Sequence, residues 1–454
     1  MIKVKQKYTG EILAELKQHN LNDVEQMLET ATKLKNSPLP SYERIKILQN
    51  LIPLMQEKQD FFARLIANEG GKPLKDAKVE VIRAIDGISI AISAIRNIKG
   101  EEVPMDLTQA GAGRLAFTTM EPIGVAVAVS AFNHPLNLTI HQVIPAVATA
   151  CPVIIKPSSA TPLCALELVK LLEIAGLSKG LVQVALINNE VAEKLVTDPR
   201  VAFFSFIGSA KIGWYLKSKL SNGTRCALEH GGVAPVILDK FSDIDNFING
   251  LIKSGFYHAG QVCVSAQRVF VPKNKAKDIA QKIAKVAKTL VIGDAINETT
   301  DIGPLISTKE VDRVENWVNE AIKEGAELIV GGNRINDVCF EATVLLNPKQ
   351  DSKVSTSEVF GPVVCIYGYE NIDEAIIKAN SLEVSFQSSI FTDDIKTAMN
   401  VAKKLEASAV MINDYTTFRV DWMPFSGRKS SGYGVGGIEH TMKDMLEHKL
   451  IVIK

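Results

Sequence analysis

A chain of 454 residues exceeds what one hydrophobic core organises, about 250 to 300 residues, so two or three domains are expected. Its 51 basic and 51 acidic residues cancel, and 46% hydrophobic content is ordinary globular composition, so no electrostatic case arises for a nucleic acid or an acidic membrane surface. Six cysteines without CxxC or Cys/His spacing argue against a disulfide framework and a metal site, and point to free thiols in a reducing cytoplasm.

The opening stretch "MIKVKQKYTGEILAELKQHN" lacks the apolar core of a signal peptide, and no uncharged apolar run reaches about 18 residues, so a soluble, unexported protein without membrane contact is expected. From Asn22 to about Ile98 apolar residues recur at helical spacing, broken by glycine and proline, and predict surface-packed helices. "RLAFTTMEPIG" then reads as a strand, and "GVAVAVSAF" (124–132) as a parallel strand covered on both faces. Beyond it strands and helices alternate: "NLTIHQVIPAVATA", "CPVIIKPSS", "LCALELVKLLEIAGL", "LVQVAL", "NEVAEKLVTD", "RVAFFSFIG" and "GSAKIGWYLKSKL". That order predicts a parallel α/β sheet of the nucleotide-binding type. The pattern repeats after Gly232, which predicts a second α/β domain. "HKLIVIK" (448–454) ends the chain as an apolar strand with an edge open to another strand or subunit.

Several positions carry possible chemistry. In "FFSFIGSAKIG", Gly208 and Gly213 flank a strand-to-helix turn whose N–H groups suit a phosphate, or simply start a helix. Cys263, in "GQVCVSAQRV", has small and polar neighbours, as an accessible thiol on a turn has, where a helix N-terminus lowers the pKa; the alternative is a buried filler. Glu229, in "RCALEHGG", is either a desolvated general base or half of a buried ion pair. Asn133 follows the buried strand, placed to donate to an oxyanion or to form a turn. Histidines 134, 141, 230 and 258 show no metal-ligand spacing, so no metal is expected.

Taken in order, "SAFNHPLN", "IIKPSSATP", "FIGSAKIG", "LEHGG", "GQVCVSAQRV", "SEVFGPV" (357–363) and "MPFSGRKSSGYG" resemble the motifs of the aldehyde dehydrogenase superfamily over nearly the whole chain. The resemblance implies an NAD(P)-dependent, non-acylating enzyme in which Cys263 is the nucleophile, Glu229 the base and Asn133 the oxyanion donor. It further implies cofactor contacts from Phe132, Lys156, Ser159, Gly208, Ser209, Gly213, Glu358 and Phe360. Glu229 argues against the acylating, coenzyme A-dependent type.

The fold implied is α/β: a Rossmann-like cofactor domain (1–103 and 123–231), a catalytic domain (232–430) and a small β oligomerisation arm (104–122 and 431–454), assembling as a homo-oligomer, dimer or tetramer. Ser159 stands where NAD-preferring relatives often carry glutamate, so NADP is tolerated or preferred.

The substrate-side stretches look most like the branch acting on small polar or anionic aldehydes, such as lactaldehyde or phosphonoacetaldehyde. Succinate semialdehyde and glyceraldehyde 3-phosphate are the alternatives, and a non-catalytic binding protein on the same fold is the alternative of another class. Arg419 either clamps an anion or forms an ion pair with Asp414 or Asp421. His141, four residues after Asn137 on one helix face, either joins it in adding polar contacts to the same pocket or is a satisfied core histidine.

Overall fold

Strand Val125–Val129 is apolar throughout because both of its faces are covered. Ala126 and Ala128 join one core with helices Leu74–Ile95 and Asn137–Ala148, whereas Val125 and Val127 join a second with Leu195, Val196 and Phe204. The strand lies inside a six-stranded sheet in the computed structural model, which describes residues 1–454. Across that sheet the order is Gly432–Tyr433, Arg225–Glu229, Val201–Ile207, Val125–Val129, Val153–Lys156 and Val182–Val184. All pairs are parallel except the first, where Gly432 lies opposite Glu229.

A second, seven-stranded sheet carries the residues after Gly232. It runs parallel through Thr343–Leu346, Val363–Tyr369, Ala266–Pro272, Ala234–Leu238, Gln387–Phe391 and Ala409–Ile412, with Glu327–Val330 antiparallel at one edge. Its core holds Phe247, Phe270 and Phe391, and a fully buried side chain of this size contributes about 1.5–3 kcal/mol.

A third, three-stranded antiparallel sheet joins Leu446–Ile453, Leu115–Pro122 and Glu102–Val103. Only the last strand of the expected 431–454 arm enters it. Gly432–Tyr433 closes the edge of the six-stranded sheet, and helix Ile438–Asp444 packs on helices Leu74–Ile95 and Asn137–Ala148. Ile438 and Met442 are buried there, which holds this segment against the first sheet.

Ile2–Lys5 and Ile12–Leu16 pair as an antiparallel hairpin, an element the sequence does not announce because charged residues interrupt its short alternation.

Helix Ala210–Lys217 sits where it does because Gly213 has no side chain. A Cβ at that position would lie 2.0 Å from His230 Cε1 and 2.9 Å from Phe206 Cδ1. The His230 ring fills this space between Phe206 and Trp214, and its Nδ1–H donates to the carbonyl of Gly208 at 2.9 Å. Gly213→Ala should therefore cost about 1–3 kcal/mol in urea unfolding, and at least about 1 kcal/mol of that loss should disappear in an H230A background. Equal losses in both backgrounds would show that the ring is not the obstacle.

Candidate active site

Lys156, Val129, Ile207 and Glu229 each stand at the C-terminal end of a parallel strand of the first sheet. Val153–Lys156, the next strand in the chain, lies on one side of Val125–Val129 and the later Val201–Ile207 on the other, so the strand order reverses at this point and a crevice opens between the two connections. That crevice continues as a cavity of about 1560 Å³ lined from both large sheets. Phe132, Asn133, Asn137, His141, Lys156, Ser159, Gly208, Ser209, Glu229, Cys263, Glu358, Phe360 and Arg419 all line it. Gly213 does not; it sits behind the turn, against His230.

Cys263 lies on an irregular turn between a 3-10 turn, Tyr257–Gly260, and strand Ala266–Pro272. The turn is tight: His258, Ala259 and Gly260 all have positive φ, 48°, 55° and 71°. No helix begins at Cys263, so the expected helix N-terminus is not what acts on the thiol. Burial raises its pKa well above the ordinary value, and the carboxylates of Glu229 and Glu358 raise it further. Sγ stands 4.0 Å from Glu229 Oε1, within reach for a thiol donating to a carboxylate.

Glu229 has no ion-pair partner. Burial lifts its carboxyl to about 7, with Arg419 pulling weakly the other way. The alternative of a buried ion pair is thus not realised. Asn133 is 6% exposed, and its side-chain amide donates to the backbone carbonyl of Gln261 at 2.9 Å, two residues before the thiol.

At the other end of the cavity, burial alone lowers the Lys156 pKa. Glu358 Oε1 is buried and accepts no hydrogen bond, and burial pushes this carboxyl up to about 8. An ammonium and a carboxylate left without protein partners fit a ligand rich in hydroxyls, as the ribose groups of NAD(P) are. Gly231 is what lets Glu358 lie there, since a Cβ would fall 1.8 Å from Oε1. Ser209 is the N-cap of helix Ala210–Lys217 and makes no side-chain cap bond, which leaves the first N–H groups of the helix open towards the same cavity. Phe132 and Phe360 meet edge to face at 5.7 Å, with Phe360 held at φ 45°.

Asn137 and His141 belong to a network that sequence spacing does not reveal. Asp421 accepts Arg83 Nε at 3.0 Å and Nη2 at 2.8 Å, His141 Nε2 at 2.7 Å and Asn137 Nδ2 at 3.1 Å. Despite burial, which would raise its pKa, His141 and Arg83 hold this carboxyl well below the usual range. Because Arg83, 338 residues away in sequence, occupies Asp421, neither Asp421 nor Asp414 forms an ion pair with Arg419. The Arg419 guanidinium lies 4.5 Å from the Phe425 ring centroid and donates to the carbonyl of Met423 at 2.5 Å. Burial lowers its pKa to about 10, so it remains charged at neutral pH.

The arrangement joins a thiol, a desolvated carboxyl and an amide at one end of a cavity, with two unpartnered groups suited to ribose at the other. Comparisons with known proteins agree. The profile of the Aldehyde dehydrogenase family matches residues 1–451. The 3-sulfolactaldehyde dehydrogenase of Priestia aryabhattai is 36% identical over 453 residues, covering 100% of this chain and 94% of the relative. The lactaldehyde dehydrogenase of Methanocaldococcus jannaschii is 36% identical over 98% of this chain and 96% of its own.

Among solved structures, the NADP complex of glyceraldehyde-3-phosphate dehydrogenase GapN from Methanocaldococcus jannaschii superposes with a TM-score of 0.95 at 36% identity, covering 100% of this chain and 99% of that one. Aldehyde dehydrogenase 21 from Physcomitrella patens, in complex with the reaction product succinate, has a TM-score of 0.95 at 33% identity, covering 100% and 95%. This chain belongs to the aldehyde dehydrogenase family.

Proposed function

We propose that this aldehyde dehydrogenase oxidises a small anionic or polar aldehyde to its carboxylic acid through Cys263, Glu229 and Asn133. The observation that carries the reading is the 4.0 Å approach of Cys263 Sγ to Glu229 Oε1 beside the Asn133 amide in one desolvated cavity. Glu229 accepts the thiol proton, and the thiolate attacks the aldehyde carbonyl. The oxyanion formed is held by the Asn133 side-chain amide and the backbone N–H of Cys263. When bound, NAD(P) supplies the hydride acceptor for collapse of that adduct to a thioester. Once Glu229 has passed that first proton to solvent, its carboxylate takes a proton from water, whose oxygen attacks the thioester; the acid is freed and the proton returns to the departing Cys263 sulfur.

Lys156, Ser159 and Glu358 are the groups proposed to hold the riboses, Ser209 with its helix N-terminus the pyrophosphate, and Phe132 and Phe360 the sides of the nicotinamide. Gly208 lets the backbone come close at that turn, while Gly213 acts from behind it. Ser159 is exposed and uncharged, which supports acceptance of the 2′-phosphate of NADP.

Arg419 supports an anionic substrate because it is charged, lines the cavity and has no carboxylate partner. The sulfonate, phosphate and carboxylate aldehydes of the relatives share that requirement. Asn137 and His141 are proposed as polar contacts fixed by Asp421. The open edge of Leu446–Ile453, with Leu450, Val452 and Ile453 exposed, supports a dimer or tetramer through the three-stranded sheet. Free cysteines support a reducing, cytoplasmic setting, and no helix is long and apolar enough to cross a membrane.

Four outcomes are expected. Burial keeps Glu229 protonated below its pKa of about 7, so steady-state turnover should fall as pH drops through 7. Glu229→Gln should give at most one turnover of NADPH per site, and sustained turnover within about tenfold of the parent would remove Glu229 from the hydrolysis step. Arg419→Ala should raise KM for glyceraldehyde 3-phosphate at least about tenfold more than for propanal, whereas equal changes for both would end the anion clamp. Ser159→Glu should weaken NADP relative to NAD by about tenfold or more in kcat/KM, and an unchanged ratio would show that the 2′-phosphate lies elsewhere.

A further inference from the structure

Lys72 and Glu80 are both 0% exposed and form an ion pair inside the first domain's helical layer. Such a pair is a weak source of stability, because desolvating both charges offsets most of their attraction and an apolar pair of similar volume usually serves as well. Its geometry points to another use. Glu80 Oε2 takes the lysine ammonium, while Oε1 accepts the backbone N–H of Leu136 at 3.0 Å and of Asn137 at 3.1 Å. Those N–H groups begin helix Asn137–Ala148, and the turn leading into them is Asn133-His134-Pro135.

We propose that the Lys72–Glu80 pair is a positioning device that fixes the Asn133 amide against the Cys263 turn. This rests on the oxyanion role assigned above to Asn133. A chain of contacts connects the pair to that amide. Pro135 locks one backbone torsion between the clamp and Asn133, so little freedom remains over the intervening residues. The Asn133 amide then bonds the carbonyl of Gln261, two residues before Cys263.

Gln261 is itself fixed, accepting the Ile306 N–H at 2.9 Å and donating to the carbonyls of His258 and Pro304 at 3.3 Å. Finally, the Lys72 ammonium lies 5.9 Å from the ring centroid of Tyr257, which also packs on His134 at 6.1 Å, so the same pair borders the start of the nucleophile turn. Lys72 and Glu80 touch no reacting atom. They act through the backbone that carries the amide.

Removing Glu80 alone would strand a buried ammonium, so the test replaces the pair. K72M/E80Q discards both charges but keeps a carbonyl oxygen to accept the two N–H groups; K72M/E80M discards the acceptor as well. Each is made with Asn133 and with N133A, and first-turnover NADPH formation from lactaldehyde is measured beside NADP affinity by fluorescence quenching and alkylation of Cys263 by iodoacetamide.

K72M/E80M should slow the first turnover about ten- to a hundredfold with NADP affinity and alkylation unchanged, K72M/E80Q should rescue most of that loss, and neither should add to the loss in N133A. A loss of equal size in both backgrounds, no loss in K72M/E80M, or no rescue by glutamine would overturn the proposal. If K72M/E80M fails to fold, K72M/E80Q decides alone: a residual loss of about two- to threefold that vanishes in N133A upholds the proposal, and no loss, a larger loss or one that persists in N133A overturns it. N133A at the parental rate would instead remove the oxyanion reading itself, a distinct result.

Discussion

Desolvation at one point of the cavity governs the rest of the site. Cys263, Glu229 and Glu358 are buried together with no cation paired to any of them, and burial pushes all three towards their neutral forms. The neutral forms cost far less to bury than three anions would, and Glu229, at about 7, exchanges its proton close to neutral pH. Burial and the two neighbouring carboxyls, rather than a helix dipole built into the turn, therefore set the state of the Cys263 thiol.

The surroundings divide accordingly. On the substrate side, Asp421 gathers Arg83, His141 and Asn137 into one hydrogen-bonded group, which satisfies its charge and leaves Arg419 without a carboxylate. Towards the first sheet, Glu80 and Gln261 hold the segments that bear the amide and the thiol. Several buried polar atoms here have no partner, among them Glu358 Oε1, Asn137 Oδ1 and both ring nitrogens of His258, and of these residues Glu358 and Asn137 line the cavity.

Much of this was legible in the sequence because the decisive groups sit in short, continuous stretches. Cys263, Glu229 and Asn133 each stand in a local setting of glycine and apolar residues, and the alternation of strands and helices marked the first sheet. What could not be read depended on distant partners. Whether Arg419 pairs with Asp421 is decided by Arg83, on a helix from the other end of the chain. That Gly213 serves His230 rather than a phosphate, and that Glu80 reaches the start of another helix, are facts of packing that no local spacing encodes. The only faint signal was Glu80 lying three residues before Arg83, one helical turn on the same side. The 431–454 segment misled because it is split between two sheets.

The two covered faces of Val125–Val129 have a further consequence. A half-exposed strand is policed by its pattern, since a slip of one residue would turn every apolar side chain to water. Here such a slip would still bury apolar groups on both faces. Only the difference in bulk, alanines towards one set of helices and valines towards the other, resists it. Each residue of slip would carry the chain leading to Asn133 by about 3.3 Å, more than a hydrogen bond's length. Alignment of this strand is thus set by side-chain volume, and a valine in place of Ala126 or Ala128 would strike at the site's geometry before it struck at the hydrophobicity of the core.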